Sequence, residues 1–144
     1  MKRWMMLALL AGFAGALVRG AGDEGMRASK PEVRTEIIAA IEGQLAAFRA
    51  GDVRKAYSYA AAELQAQKPL RIFVGIVQTS YPEIWASTKA EYGLVRDDGA
   101  RAVLLVHVFA KDSDATYDYT LTKERGGWRI HDVLRHEPQK KDQV

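Results

Sequence analysis

The chain has no cysteine, three histidines and four prolines in 144 residues. Without cysteine there are no disulfides, no thiol nucleophiles and no cysteine-held metals. His107, His131 and His136 fall at no compact zinc spacing, so no metal site is read from them. The sequence also lacks a glycine-rich phosphate loop, an HExxH pair and a GxSxG elbow. No cofactor is implied. Charge of one sign is scarce as well. Lys and Arg number 21 against 18 Asp and Glu, and Lys2, Arg3 and Arg19 all fall in the first twenty positions. Without that segment 18 basic residues face 18 acidic ones. A near-neutral domain has no bulk electrostatic reason to hold nucleic acid or acidic lipid.

What is present begins with a leader pattern. Lys2 and Arg3 precede an apolar run from Trp4 to Val18, and small residues follow at Gly20 and Ala21. This is the order of an export signal. The run is shorter than the roughly 20 apolar residues that a membrane span needs. Residues 1–20 are therefore expected to be cleaved, and the mature chain to be periplasmic or secreted. The membrane would be met only through an uncleaved leader. Residues 21–30 read as a flexible lead-in, 31–136 as one domain, and 137–144 as a charged tail.

Three helices are predicted in the front half. Val33, Ile37, Ile41, Leu45 and Phe48 recur at helical spacing. Ser29 and Glu32 have capping-box spacing ahead of them. Gly51 ends this helix and Asp52 can cap the next. The second helix is expected over 53–65, with Ala56, Tyr57, Ala60, Ala61 and Leu64 on its apolar side. The third runs from Leu70 to about Ser80, and "SYPEIW" then breaks the period.

Beyond Thr88 the period becomes two, which predicts four strands in a meander. "KAEYGLVR" is weak. "ARAVLLVHVFA" is apolar on both faces. "ATYDYTLTK" alternates cleanly, and "WRIHDVLR" closes the chain. In the last, Trp128, Ile130 and Leu134 share one phase, and Asp132 falls in it as a defect. Helices followed by an antiparallel meander define an α+β fold. The sheet is expected to curl into a cone with the helices closing one end.

The segments "QLAAFRAGDVRKAYSYAAAELQ", "FVGIVQTSYPEIW" and "YDYTLTKERGGWRIHDVL" resemble a family of small exported domains of unknown function, DUF4864. The resemblance covers about Glu32 to Leu134. It implies an NTF2-like (cystatin-like) cone, with three helices packed on a curved four-stranded antiparallel sheet. It implies no activity, cofactor or catalytic residue. The family's last strand often continues "WRI" with a small or apolar pair, whereas His131 and Asp132 stand here.

NTF2-like enzymes carry acids and histidines inside the cone, so His107, Asp118 and His131 are the catalytic candidates for acid–base chemistry. Each has a plainer reading as a strand residue on a solvated face. Tyr57, Tyr81, Trp85, Phe109 and Tyr117 are the candidate ligand contacts, since aromatic walls with a few polar atoms make an ordinary pocket. The favoured function is a non-catalytic binding or accessory domain for a small apolar ligand or a protein partner. The alternatives are a cofactor-independent isomerase, dehydratase or hydrolase, and a lipid carrier. A homodimer through the sheet is an expected partner state. Nucleic acid is not an expected partner.

Overall fold

Helix α1 spans Pro31–Arg49, and its apolar stripe sets the core. Ile37, Ile41 and Leu45 are fully buried along it. The computed structural model describes residues 25–137. The expected leader and all of the charged tail except Glu137 lie outside the described residues. The capping box does not form. Pro31 opens the helix behind Lys30, with no side-chain cap, and Ser29 Oγ donates to Asp97 instead. Ser29 is turned that way because its N–H donates to Val95 O at 2.9 Å. This continues β1, Arg27–Ala28, which pairs with β3, Arg96–Asp97. Part of the stretch read as a flexible lead-in is thus a strand.

At the other end Gly51, with φ +75°, takes the left-handed conformation that suits glycine. Gly51 N donates to Phe48 O at 3.0 Å and Asp52 N to Ala47 O at 2.9 Å, a Schellman closure. Asp52 then accepts from Lys55 N at 3.1 Å and caps α2, Val53–Ser58, as its position predicts.

The second expected helix is split. Tyr59–Ala61 leave the helical path and pair with β6, Gly127–Arg135, the outermost strand of the sheet. Ile130 N donates to Tyr59 O, and Ala61 N donates to Ile130 O, both at 2.8 Å. An exposed sheet edge is satisfied at the expense of one helical turn. Gly43 makes room for this, since a Cβ there would lie 2.5 Å from the Tyr59 ring. Helix α3, Ala62–Gln67, restarts with Ala62 N on Glu124 Oε2 at 2.9 Å. Helix α4 runs Leu70–Ser80 as predicted. Pro82–Trp85, read as a break, forms the one-turn helix α5.

The strands are β2 (Ser87–Tyr92), β3, β4 (Arg101–Ala110), β5 (Asp114–Glu124) and β6 (Gly127–Arg135). They form one open antiparallel sheet, so the architecture is mixed helix and sheet. β2 and β3 both pair with the same side of β4 and together occupy the place of the expected first strand. Ala102, Leu104, Val106 and Val108 of β4 face the helices with Tyr117, Tyr119 and Leu121 of β5, all buried. Val103, Leu105, His107 and Phe109 face outward. Leu105, Asp118 and Leu134 stand in register across that outer face, with the two leucines 40% and 57% exposed.

The defect at Asp132 has a structural cause. Leu121 pairs with Ile130, yet its neighbour Thr120 pairs with Asp132, so His131 is an extra residue in a β-bulge. The bulge inverts the phase of the rest of β6. Asp132 and Leu134 pass to the outer face, so Leu134 does not share the face of Trp128 and Ile130 as its spacing predicts. Val133 and Arg135 pass to the inner face. Deleting His131 is expected to reverse this and to lower unfolding free energy by at least about 4 kcal/mol in urea. His131→Ala, which keeps the bulge, is expected to lower it by less than about 1 kcal/mol. Equal effects of the two changes would contradict the assignment.

Candidate functional site

Where α1, α3, α4 and β6 meet, the helices stand away from the sheet. The split at Tyr59–Ala61 falls just before α3, and the bulge at His131 falls in the part of β6 that lines this space. The space between is a cleft of about 330 Å³, at the small end of the range for small-molecule sites. Leu64, Phe73, Ile76, Val77, Ile84 and Ile130 supply its apolar lining. α4 carries three of these residues on one face.

A few polar groups also line it. Gln44 projects from α1 and is only 4% exposed. Its Nε2 donates to Ala56 O at 3.0 Å. A carbonyl can only accept, so the amide nitrogen must lie on that side and Oε1 on the other. Among the described residues Oε1 has no hydrogen-bond donor. Tyr81 also lines the cleft, and its hydroxyl donates to Val133 O at 2.8 Å. Burial, and then the nearby Asp132 carboxylate, push that hydroxyl above the usual tyrosine range. Gln67, Lys68, His131 and Asp132 complete the polar lining. His131 Nε2 lies 2.8 Å from Glu63 Oε1.

Behind α5 lies a separate polar cluster. Glu83, 2% exposed, accepts from Tyr117 Oη at 2.6 Å, from Arg135 Nη1 at 3.0 Å and from Ser113 Oγ at 2.8 Å. Arg135 Nη1 also donates to Tyr117 Oη at 3.0 Å. Burial pushes the Glu83 carboxyl up, but these hydrogen bonds outweigh it and bring its pKa down to about 2. Tyr117 is raised, by burial first and then by the carboxylate it serves. The cluster ties α5, the β4–β5 turn, β5 and the end of β6 together.

The residues singled out by sequence are dispersed. His107 sits on the outer sheet face, with Nε2 2.7 Å from Asp114 Oδ2 and Nδ1 2.6 Å from Thr116 Oγ1. Asp118 is on the same face, 3.1 Å from His136 Nδ1. His131 alone of the three reaches the cleft. Among the aromatics, Tyr81 alone lines it. Tyr57 fastens α2 to α3 by donating to Lys68 O at 2.7 Å. Trp85 packs on Phe48, with ring centroids 5.5 Å apart. Phe109 lies outside, beside His107, and Tyr117 serves Glu83. Gln44 was overlooked although it breaks the apolar stripe of α1 between Ile41 and Phe48. Glu83 carried no comparable signal. Among the described residues no group of three or more histidine and carboxylate side chains is placed to hold a metal. No helix there is long and apolar enough to cross a membrane.

Helices over one face of an open antiparallel sheet, with an apolar cleft at their junction, define a small α+β domain. The chain belongs to the family described as Domain of unknown function (DUF4864), whose model matches residues 30–143. No curated protein and no solved structure matches it.

The Glu83 pKa carries a pH dependence. A carboxyl lowered from an ordinary value of 4.5 to about 2 adds stability that is complete above 4.5 and is lost as pH falls through about 2. Glu83→Gln is expected to remove roughly 3 kcal/mol at neutral pH. In urea titrations its deficit against the parent chain should shrink across that acid window. A deficit that stays constant throughout would contradict the role given to the carboxylate.

Proposed function

We propose that the chain is an exported, non-catalytic binding domain of NTF2-like form, whose cleft holds a small, mainly apolar molecule. The observation that carries this reading is the cleft itself: about 330 Å³ with a mainly apolar wall that includes Leu64, Phe73, Ile76, Val77, Ile84 and Ile130, and a smaller polar share. Export rests on the leader pattern of Lys2, Arg3 and the Trp4–Val18 run, and agrees with a fold that needs no cysteine. The NTF2-like form rests on a long α1 packed across the inner face of an antiparallel meander.

Binding is favoured over acid–base chemistry by the positions of the candidate residues. His107 and Asp118 stand on the face turned away from the cleft, each paired with a different neighbour. His131 stands at the cleft with Glu63 rather than with either of them.

N-phenyl-1-naphthylamine, which brightens in apolar sites, gives the test. The purified chain is expected to bind it with micromolar affinity. Ile76→Trp, which fills the cleft from a half-buried position, is expected to weaken binding at least about tenfold with little change in melting temperature. No brightening, or brightening unaffected by this substitution, would sink the reading.

A further inference from the structure

The cleft's one deeply buried polar side chain points to the kind of molecule it takes. Gln44 is 4% exposed, and its amide nitrogen is committed to Ala56 O at 3.0 Å. Oε1 therefore lacks a donor among the described residues while its side chain lines the cleft. Oε1 is open to the cleft rather than sealed, since the buried side-chain atoms without a partner among the described residues are Tyr119 Oη and Trp128 Nε1. A ligand that covers Oε1 without donating to it loses about 1–3 kcal/mol. A ligand that donates to it avoids that loss. The second N–H of the same amide can donate in return. A hydroxyl, which both gives and takes a hydrogen bond, matches this pair of atoms.

The charges argue against an anionic head at that depth. Lys68 is the one lysine or arginine in the lining and shares it with the Asp132 carboxylate, and His131 is already partnered by Glu63. A carboxylate carried down to Gln44 would meet an acceptor oxygen and lose its water without compensation. A plain hydrocarbon would leave Oε1 unsatisfied. We propose that Gln44 is the specificity-determining residue of the cleft, and that the ligand class is a small, neutral, mainly apolar alcohol bound hydroxyl-first against it. This rests on the binding reading given above.

Competition against N-phenyl-1-naphthylamine separates the two claims. With the unsubstituted chain, 1-octanol is expected to displace the dye at about five- to tenfold lower concentration than methyl octyl ether or octanoate, the effect of one hydrogen bond. In Gln44→Met each competitor is scored against that variant's own dye affinity, and the advantage of the alcohol over the ether is expected to disappear. If Gln44→Met does not fold, the alcohol-to-ether comparison in the unsubstituted chain decides alone. An ether that competes as well as the alcohol overturns the proposal, and so does octanoate competing better, which would place the head at Lys68. So does an alcohol preference that persists in Gln44→Met. Each of these leaves the binding reading standing. A dye that fails to bind at all removes both.

Discussion

A single extra residue in the last strand governs the arrangement of everything near the cleft. With His131 bulged out, Val133 and Arg135 turn inward and Asp132 and Leu134 turn outward. A regular strand would do the reverse, because side chains alternate with a period of two. Arg135 could not then reach Glu83. The buried carboxylate would keep Tyr117 and Ser113 but lose its cationic partner Arg135. Tyr81, held by the carbonyl of Val133, would lose its anchor at the cleft wall. Bulges bend and re-aim strands beside functional sites in many proteins, and here the bend coincides with the cleft.

A second constraint acts one residue earlier. Ile130 exchanges both its backbone groups with Tyr59 and Ala61. This covers a free sheet edge and also prevents α2 and α3 from being one helix. An unbroken helix would have no reason to turn away from the core at Tyr59. The split lets α3 and α4 stand off, and Leu64, Phe73 and Ile76 line the gap instead of closing it. Edge protection and an open site thus share one cause. The Glu83 cluster adjoins this opening through Tyr117, whose ring centroid lies 5.7 Å from that of Tyr81, and holds α5 against β5 and β6 with a partnered charge.

Much of the architecture could be read from residue spacing. α4 was bounded by Pro69 and Pro82 and filled by a clear apolar stripe, so its limits were visible. β4 and β5 showed their alternation, although the phase of β4 that faces inward was not decided by a strand apolar on both sides. The break at Tyr59–Ala61 was invisible, because its cause is a pair of hydrogen bonds to a residue far along the chain. The bulge left one trace, an aspartate out of phase, and the trace was legible only as a defect. Of the residues lining the site, Tyr81 was legible for its aromatic character and His131 as a histidine beside the out-of-phase aspartate. His107, Asp118 and Phe109 were grouped with them because spacing along strands says nothing about which face meets the helices. Gln44 was detectable in principle, as a polar residue on an otherwise apolar stripe.

The central claim is that the gap between α4 and β6 is where this domain meets its ligand. Amide chemical-shift mapping of the isotopically labelled chain, titrated with a small apolar alcohol, tests it most directly. The account predicts saturable shifts gathered at Gln44, along Phe73 to Val77, and along Ile130 to Val133. Shifts gathered instead around Leu105, Asp118 and Leu134 on the outer sheet face, or no saturable shifts at all, would contradict it.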